Sequence, residues 1–133
     1  MLIQAIGSTA TEIPDTLVHE AARCWRSARG QGRPVLPCLH ALLAPRGLEM
    51  LTLVLAGLME ASERFLDRDL CVGCPLTPSS DETLICRLIA DPSAMARIAG
   101  ARRCGRSGAD LASVMVCALR STRVMMEMAA PEA

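Results

Sequence analysis

An all-α fold, a compact bundle of four main helices and two short ones, is what this sequence predicts, on three observations. Apolar residues make up 51% of the chain but aromatics only 2%. Leu, Ala, Val, Ile and Met must therefore fill the core, and that mixture favours helices over a β-sandwich. Apolar side chains recur at helical spacing in several windows, and no alternating run is long enough for a sheet. At 133 residues the chain is the size of a single domain, which can bury roughly 68% of its unfolded surface without a covalent staple.

Residues 1–13 read as a frayed arm. Pro14, followed by Asp15, opens a helix to about Ala28, with a stripe of Leu17, Ala21, Cys24, Trp25 and Ala28 and with His19, Arg23 and Arg26 opposite. Gly30, Gly32 and Pro34 end it. A short helix fits from Leu36 to Leu43, between Pro34 and Pro45. The longest runs from about Arg46 to Leu66, faced by Leu51, Val54, Leu55, Leu58 and Phe65. Its Met50–Met59 stretch is apolar almost all round, so it is expected at the centre.

Residues 67–77 form a loop. The next helix has two competing starts, Thr77 before Pro78, or a capping box of Ser79 and Glu82, with Leu84, Ile85, Leu88 and Ile89 inward. Asp91-Pro92 begins a short helix that Gly100 closes. A basic loop from Arg102 to Gly108 leads to a last helix from Ala109 to Met128, packed through Leu111, Val114, Met115, Ala118, Leu119, Thr122 and Met126. Residues 129–133 read as a flexible tail.

Net charge is zero, which argues against nucleic acid as a partner. Arg87, Arg97, Arg102, Arg103, Arg106, Arg120 and Arg123 are opposed only by Asp91 and Asp110, an asymmetry that fits a solvated face or an acidic partner. The longest uncharged apolar run, Met50–Met59, is too short for a bilayer. Seven Cys, an odd number at irregular spacing after a start with no secretory pattern, point to a reducing cytoplasm rather than a disulfide framework.

Cys71-Val-Gly-Cys74 is the one motif with intrinsic chemistry. Two thiols this close can share one ion, and Gly73 lets the backbone curl. A closed zinc or iron–sulfur site needs about four ligands. The further candidates are Cys38, His40, Cys86 and Cys104, with Cys86 and Cys104 ranked first. Cys104, among Arg102, Arg103 and Arg106, has the setting of a reactive thiolate. Cys24 and Cys117 read as packing residues. A reversible Cys71–Cys74 disulfide is the redox alternative, and ordinary reduced cysteines are the plain one. Cys74-Pro75 also matches a loose haem-thiolate dipeptide. His19 reads as exposed and His40 as partly buried. No catalytic triad or phosphate loop is present. The expected function is a non-enzymatic accessory or regulatory protein with a metal-binding or thiol-switch element at Cys71 and Cys74. The alternative is a purely structural interaction module. Met-rich apolar surface on the last helix suggests a homo-oligomer or a helical protein partner.

From Pro45 to Glu82 the chain resembles an uncharacterised bacterial helical family of unknown function, in Leu51, Leu55, Leu58 and Met59, then Cys74-Pro75, Thr77 and Glu82. Leu111–Val114 is similar as well. In that family the cysteines are contiguous, whereas here Val72 and Gly73 separate them. The resemblance implies a helical fold and no particular activity.

Overall fold

A computed structural model describes residues 15–74, 76–101 and 106–129. The predicted arm, Pro14, Pro75, Cys104 and residues 130–133 lie outside them. Among the described residues six helices follow in order: α1 Asp15–Gly30, α2 Val35–Leu43, α3 Thr52–Leu66, α4 Ser80–Ala90, α5 Met95–Ala101 and α6 Arg106–Ala129. Short 3-10 turns at Ala44–Arg46, Glu49–Leu51 and Pro92–Ala94 join them. No strand occurs among the described residues, only an isolated antiparallel bridge between Cys74 and Thr77. The four longer helices and two short ones match the predicted bundle.

The principal packing is α3 against α6, flanked by α1 on α2 and α2 on α3. Leu51, Leu55, Leu58 and Met59 are fully buried, and so are Leu39 and Leu43 of α2 and Leu119 of α6. Hydroxyls inside this apolar seam are satisfied by their own helices. Ser62 Oγ donates to Leu58 O at 2.7 Å, and Thr122 Oγ1 to Ala118 O at 2.7 Å. Each therefore crosses the core without an orphaned donor.

Several boundaries differ from the sequence reading for identifiable reasons. The long helix does not begin at Arg46. Gly47 takes φ 71°, which ends the turn after α2, and the α-helical stretch resumes only at Thr52. The all-round apolar stretch is not buried all round either, since Leu53 is 70% exposed. In α1, Val18 and Ala22 join the predicted stripe, so the buried face is wider than the spacing suggested. The last helix starts at Arg106 rather than Ala109, absorbing part of the predicted basic loop. Gly100 lies inside α5, which ends at Ala101. Val114, placed inward by spacing, and Cys117, read as a packing residue on the flank, are both exposed, while Met115 and Leu119 carry the contact. His40 is exposed rather than partly buried, and His19 is half-buried.

Of the two competing starts for α4, the capping box wins. Glu82 N donates to Ser79 Oγ at 3.1 Å, and Ser79 N donates to Glu82 Oε1 at 2.8 Å. Two orphan amides are satisfied reciprocally, and this same box builds the loop that precedes it.

Candidate functional site

The segment Leu70–Ser79, between α3 and α4, carries both cysteines of the motif. Loops of this kind usually satisfy their amides with water. Here three carboxylates from the flanking helices take them instead, and each carboxylate is matched by an arginine.

The first anchor is Glu63 of α3. Its Oε2 accepts from Leu70 N at 2.9 Å and from Arg26 Nη1 at 2.8 Å. Leu70 itself is buried, so the loop starts from a fixed point. The second is Asp81, whose side chain is 5% exposed. Oδ2 accepts from Cys71 N at 2.8 Å, while Arg68 donates to both oxygens at 2.6 and 2.9 Å. The third is Glu82, whose side chain is 1% exposed. Its Oε1 accepts from Gly73 N at 3.1 Å as well as from Ser79 N. Arg23 of α1 closes the pair, Nε to Oε2 at 3.1 Å, and sends Nη2 on to the Cys74 carbonyl at 2.9 Å.

The loop also ties itself together. Ser79 Oγ donates to Cys71 O at 2.6 Å. Cys74 and Thr77 exchange both backbone hydrogen bonds at 3.1 Å. The chain crosses itself so tightly at Gly73 that a Cβ there would lie 2.2 Å from Thr77 O and 2.7 Å from Ser79 N. Gly73 is thus required for close approach of two backbones.

Burial is the largest influence on Glu82 and pushes its carboxyl up. The Ser79 amide, the Arg23 guanidinium and the Gly73 amide together outweigh it and leave the group below its ordinary value. Asp81 lies low as well, held by the Arg68 hydrogen bonds against burial, with the Cys71 amide adding to the effect. Arg68 is correspondingly raised by its Asp81 hydrogen bonds. Two carboxyls depressed in the folded state give stability that is present above the ordinary carboxylate range and lost as pH falls through their folded-state values. Thermal unfolding followed by circular dichroism should therefore show a steep loss of stability below about pH 5. In the Asp81→Asn variant that loss should be shallower, and an unchanged acid profile would contradict the assignment.

Both sulfurs of the motif are exposed. The Cys74 thiol is lowered first by the Leu76 amide and then by the Thr77 amide, against a small opposing desolvation, with Arg23 adding to the fall. Arg68 Nη1 lies 3.7 Å from Cys71 Sγ. For Cys74 this is the accessible setting, beside a guanidinium and backbone amides, in which a thiolate forms.

The other predicted ligands do not gather here. Cys86 is half-buried on α4, its thiol directed to Asp15 O of α1 at 3.9 Å. Burial, then Asp15 and Glu82, push it up to about 12, which makes it a reluctant thiolate. Cys38 is half-buried on α2, His40 is exposed on the same helix, and Cys104 lies outside the described residues. Among the described residues, no group of three or more His, Cys, Asp or Glu is arranged to hold a metal ion. Likewise no helix among them is long and apolar enough to cross a membrane.

The sequence reading found the cysteine pair and the capping box but missed the Arg23, Arg26 and Arg68 clamps. Arg23 and Glu82 are 59 positions apart, so no local spacing rule links them. The adjacent acids Asp81 and Glu82, directly after a capping serine, were the available signal. Comparison with known proteins leaves the site to be read on its own chemistry. No family model matches the chain, and no curated protein or solved structure matches it.

Proposed function

We propose that this protein is a helical accessory or regulatory protein whose Cys71–Cys74 loop is a thiol switch. The observation that carries this reading is the anchoring of an exposed dithiol by buried carboxylates. Asp81 holds the Cys71 amide, Glu82 holds the Gly73 amide, and Arg23 holds the Cys74 carbonyl. Elements that only connect helices do not need such anchoring, whereas a site that must present a sulfur in one geometry does.

In the proposed step, the Cys74 thiolate attacks one sulfur of a low-molecular-weight disulfide and releases one thiolate. Cys71 then loses its proton and attacks the Cys74 sulfur, releasing the second. Two protein thiols give up two protons and two electrons, and one small disulfide becomes two thiols. The metal-binding form of the same element, with zinc or an iron–sulfur cluster on Cys71 and Cys74, has less support. Cys86 is directed to α1, and among the described residues three donors do not converge.

The test uses the full chain. At neutral pH, mass-spectrometric counting of iodoacetamide adducts should show Cys74 modified before Cys24 and Cys86. Equilibration with oxidised glutathione should remove two hydrogens from the peptide containing Cys71 and Cys74. Cys74 lagging the buried thiols, or both thiols remaining free under oxidation, would refute the switch. Stoichiometric zinc or iron in protein purified without added metal would replace it with the metal site.

A second reading, an interaction module, is favoured by one feature of α6. Val114, Cys117, Ser121, Val124 and Met128 are all exposed and fall at the alternating three- and four-residue spacing of a coiled-coil seam. On this reading a second copy or a partner helix covers the stripe. Analytical ultracentrifugation should then show self-association that Val124→Glu abolishes, and a monomer at all concentrations would remove the homo-oligomer.

A further inference from the structure

We propose that the cleft between the Pro92–Ala96 segment and α6 binds a small amphipathic anion, a medium-chain acyl carboxylate, with Arg120 taking its head group. The site is separate from the Cys71–Cys74 loop and requires nothing of it.

The cleft follows from how the chain turns after α4. Asp91-Pro92 opens the 3-10 turn Pro92–Ala94, and α5 continues from Met95. Turn and helix both pack on α6. Met95, which lines the cleft, is buried. The side chains of Ala96 and Ala112, one on each wall, are too small to fill the space between them. A hollow of about 500 Å³ is left, within the range of small-molecule sites. On α6 its lining includes Ala112, Val116 and Arg120, at four-residue steps along one face of the helix. Over about 12 Å of helix that face passes from apolar to cationic.

The charges around the cleft single out Arg120. Arg97 faces Asp91 Oδ2 at 3.8 Å. Arg123 is held by Glu127 at 3.2 Å and donates to the Ala90 carbonyl at 2.7 Å. Ser93 Oγ donates to Asp91 Oδ1, so the Asp91 carboxylate is engaged as well. Arg120 lines the cleft and, among the described residues, has no carboxylate or carbonyl partner. An uncommitted cation at one end of an apolar hollow suits a ligand that brings both an apolar body and an anion. A carboxylate matches the guanidinium best, because its two oxygens meet the planar fork of donors. The local excess of arginine over acid between Arg87 and Arg123, which the cysteine loop does not use, favours the same sign of ligand.

Cys117 is exposed and lines the same cleft, so it reports on occupancy from inside the site. The reduced full chain is alkylated with iodoacetamide at increasing decanoate, and adducts on Cys117, Cys71 and Cys74 are counted by peptide mass spectrometry. Decanoate should slow Cys117 alkylation saturably and leave Cys71 and Cys74 unchanged. Decanol, which has the same chain and no charge, should bind about tenfold more weakly, the loss expected for one charge-assisted contact. Arg120→Gln should weaken decanoate by the same factor and leave decanol as it was. Ala112→Leu should fill the hollow and remove protection by both. Val124→Glu, which disrupts the exposed α6 stripe, should keep the protection. Unprotected Cys117, equal protection of Cys71 and Cys74, or decanoate binding unchanged in Arg120→Gln would each overturn the site. Protection lost in Val124→Glu would overturn it too, by assigning the shielding of Cys117 to self-association.

Discussion

Glu82→Ala should destabilise the protein by about 3 kcal/mol, the lower end of what breaking a buried ion pair costs. The lower end applies because the Arg23 side chain is 22% exposed and can recover some water when its partner is removed. Two losses combine. The Gly73 and Ser79 amides lose their shared acceptor, the second of these bonds being half of the capping box, and among the described residues Arg23 keeps the Cys74 carbonyl alone. For a domain of this size the drop in Tm should be on the order of 10 °C, measured by thermal unfolding in circular dichroism. Glu82→Gln separates shape from charge, because an amide oxygen can still accept the loop amides. Its loss should be smaller than that of alanine. A Tm for Glu82→Ala within a few degrees of the parent would show that the clamp is not what holds the loop.

The parts of this architecture that were legible in the sequence are those with short-range causes. The capping box of Ser79 and Glu82 is a three-residue pattern with a specific hydrogen-bond consequence, and it sets the start of α4. The stripe of Leu17, Ala21, Cys24, Trp25 and Ala28 is a periodicity, and all of it is buried except the half-buried Cys24. The Arg23–Glu82 and Arg26–Glu63 pairs were not legible, because they depend on how α1 lies across the loop. Val114 was misjudged for a related reason. A helix with more apolar residues than one neighbour can cover must expose some of them, and periodicity alone does not say which.

Gly73 joins the local and non-local parts of the loop, and substituting it should have the other large effect. In Gly73→Ala the new methyl meets Thr77 O at 2.2 Å, Ser79 N at 2.7 Å and Pro78 C at 2.9 Å. All three are backbone atoms, so no side chain can swing away to make room. The 73–79 crossing has to open, and with it the paired hydrogen bonds of Cys74 and Thr77 and the Gly73–Glu82 contact. A cost of about 3 kcal/mol is expected, at the upper end for overpacking. Opening also removes the Leu76 and Thr77 amides from the Cys74 sulfur, so its thiol should move up toward its ordinary value. The alkylation rate of Cys74 at neutral pH should fall, even though the residue stays exposed. Gly57 provides the matching control. It lies within α3, where a Cβ would meet nothing within 4 Å, and Gly57→Ala should stabilise the protein by about 0.5–1 kcal/mol. Opposite signs for the two Gly→Ala changes, with slower Cys74 alkylation only in Gly73→Ala, would tie the thiol's reactivity to the crossing of the backbone. Equal stability and unchanged Cys74 alkylation in both variants would mean that the sulfur owes nothing to this geometry.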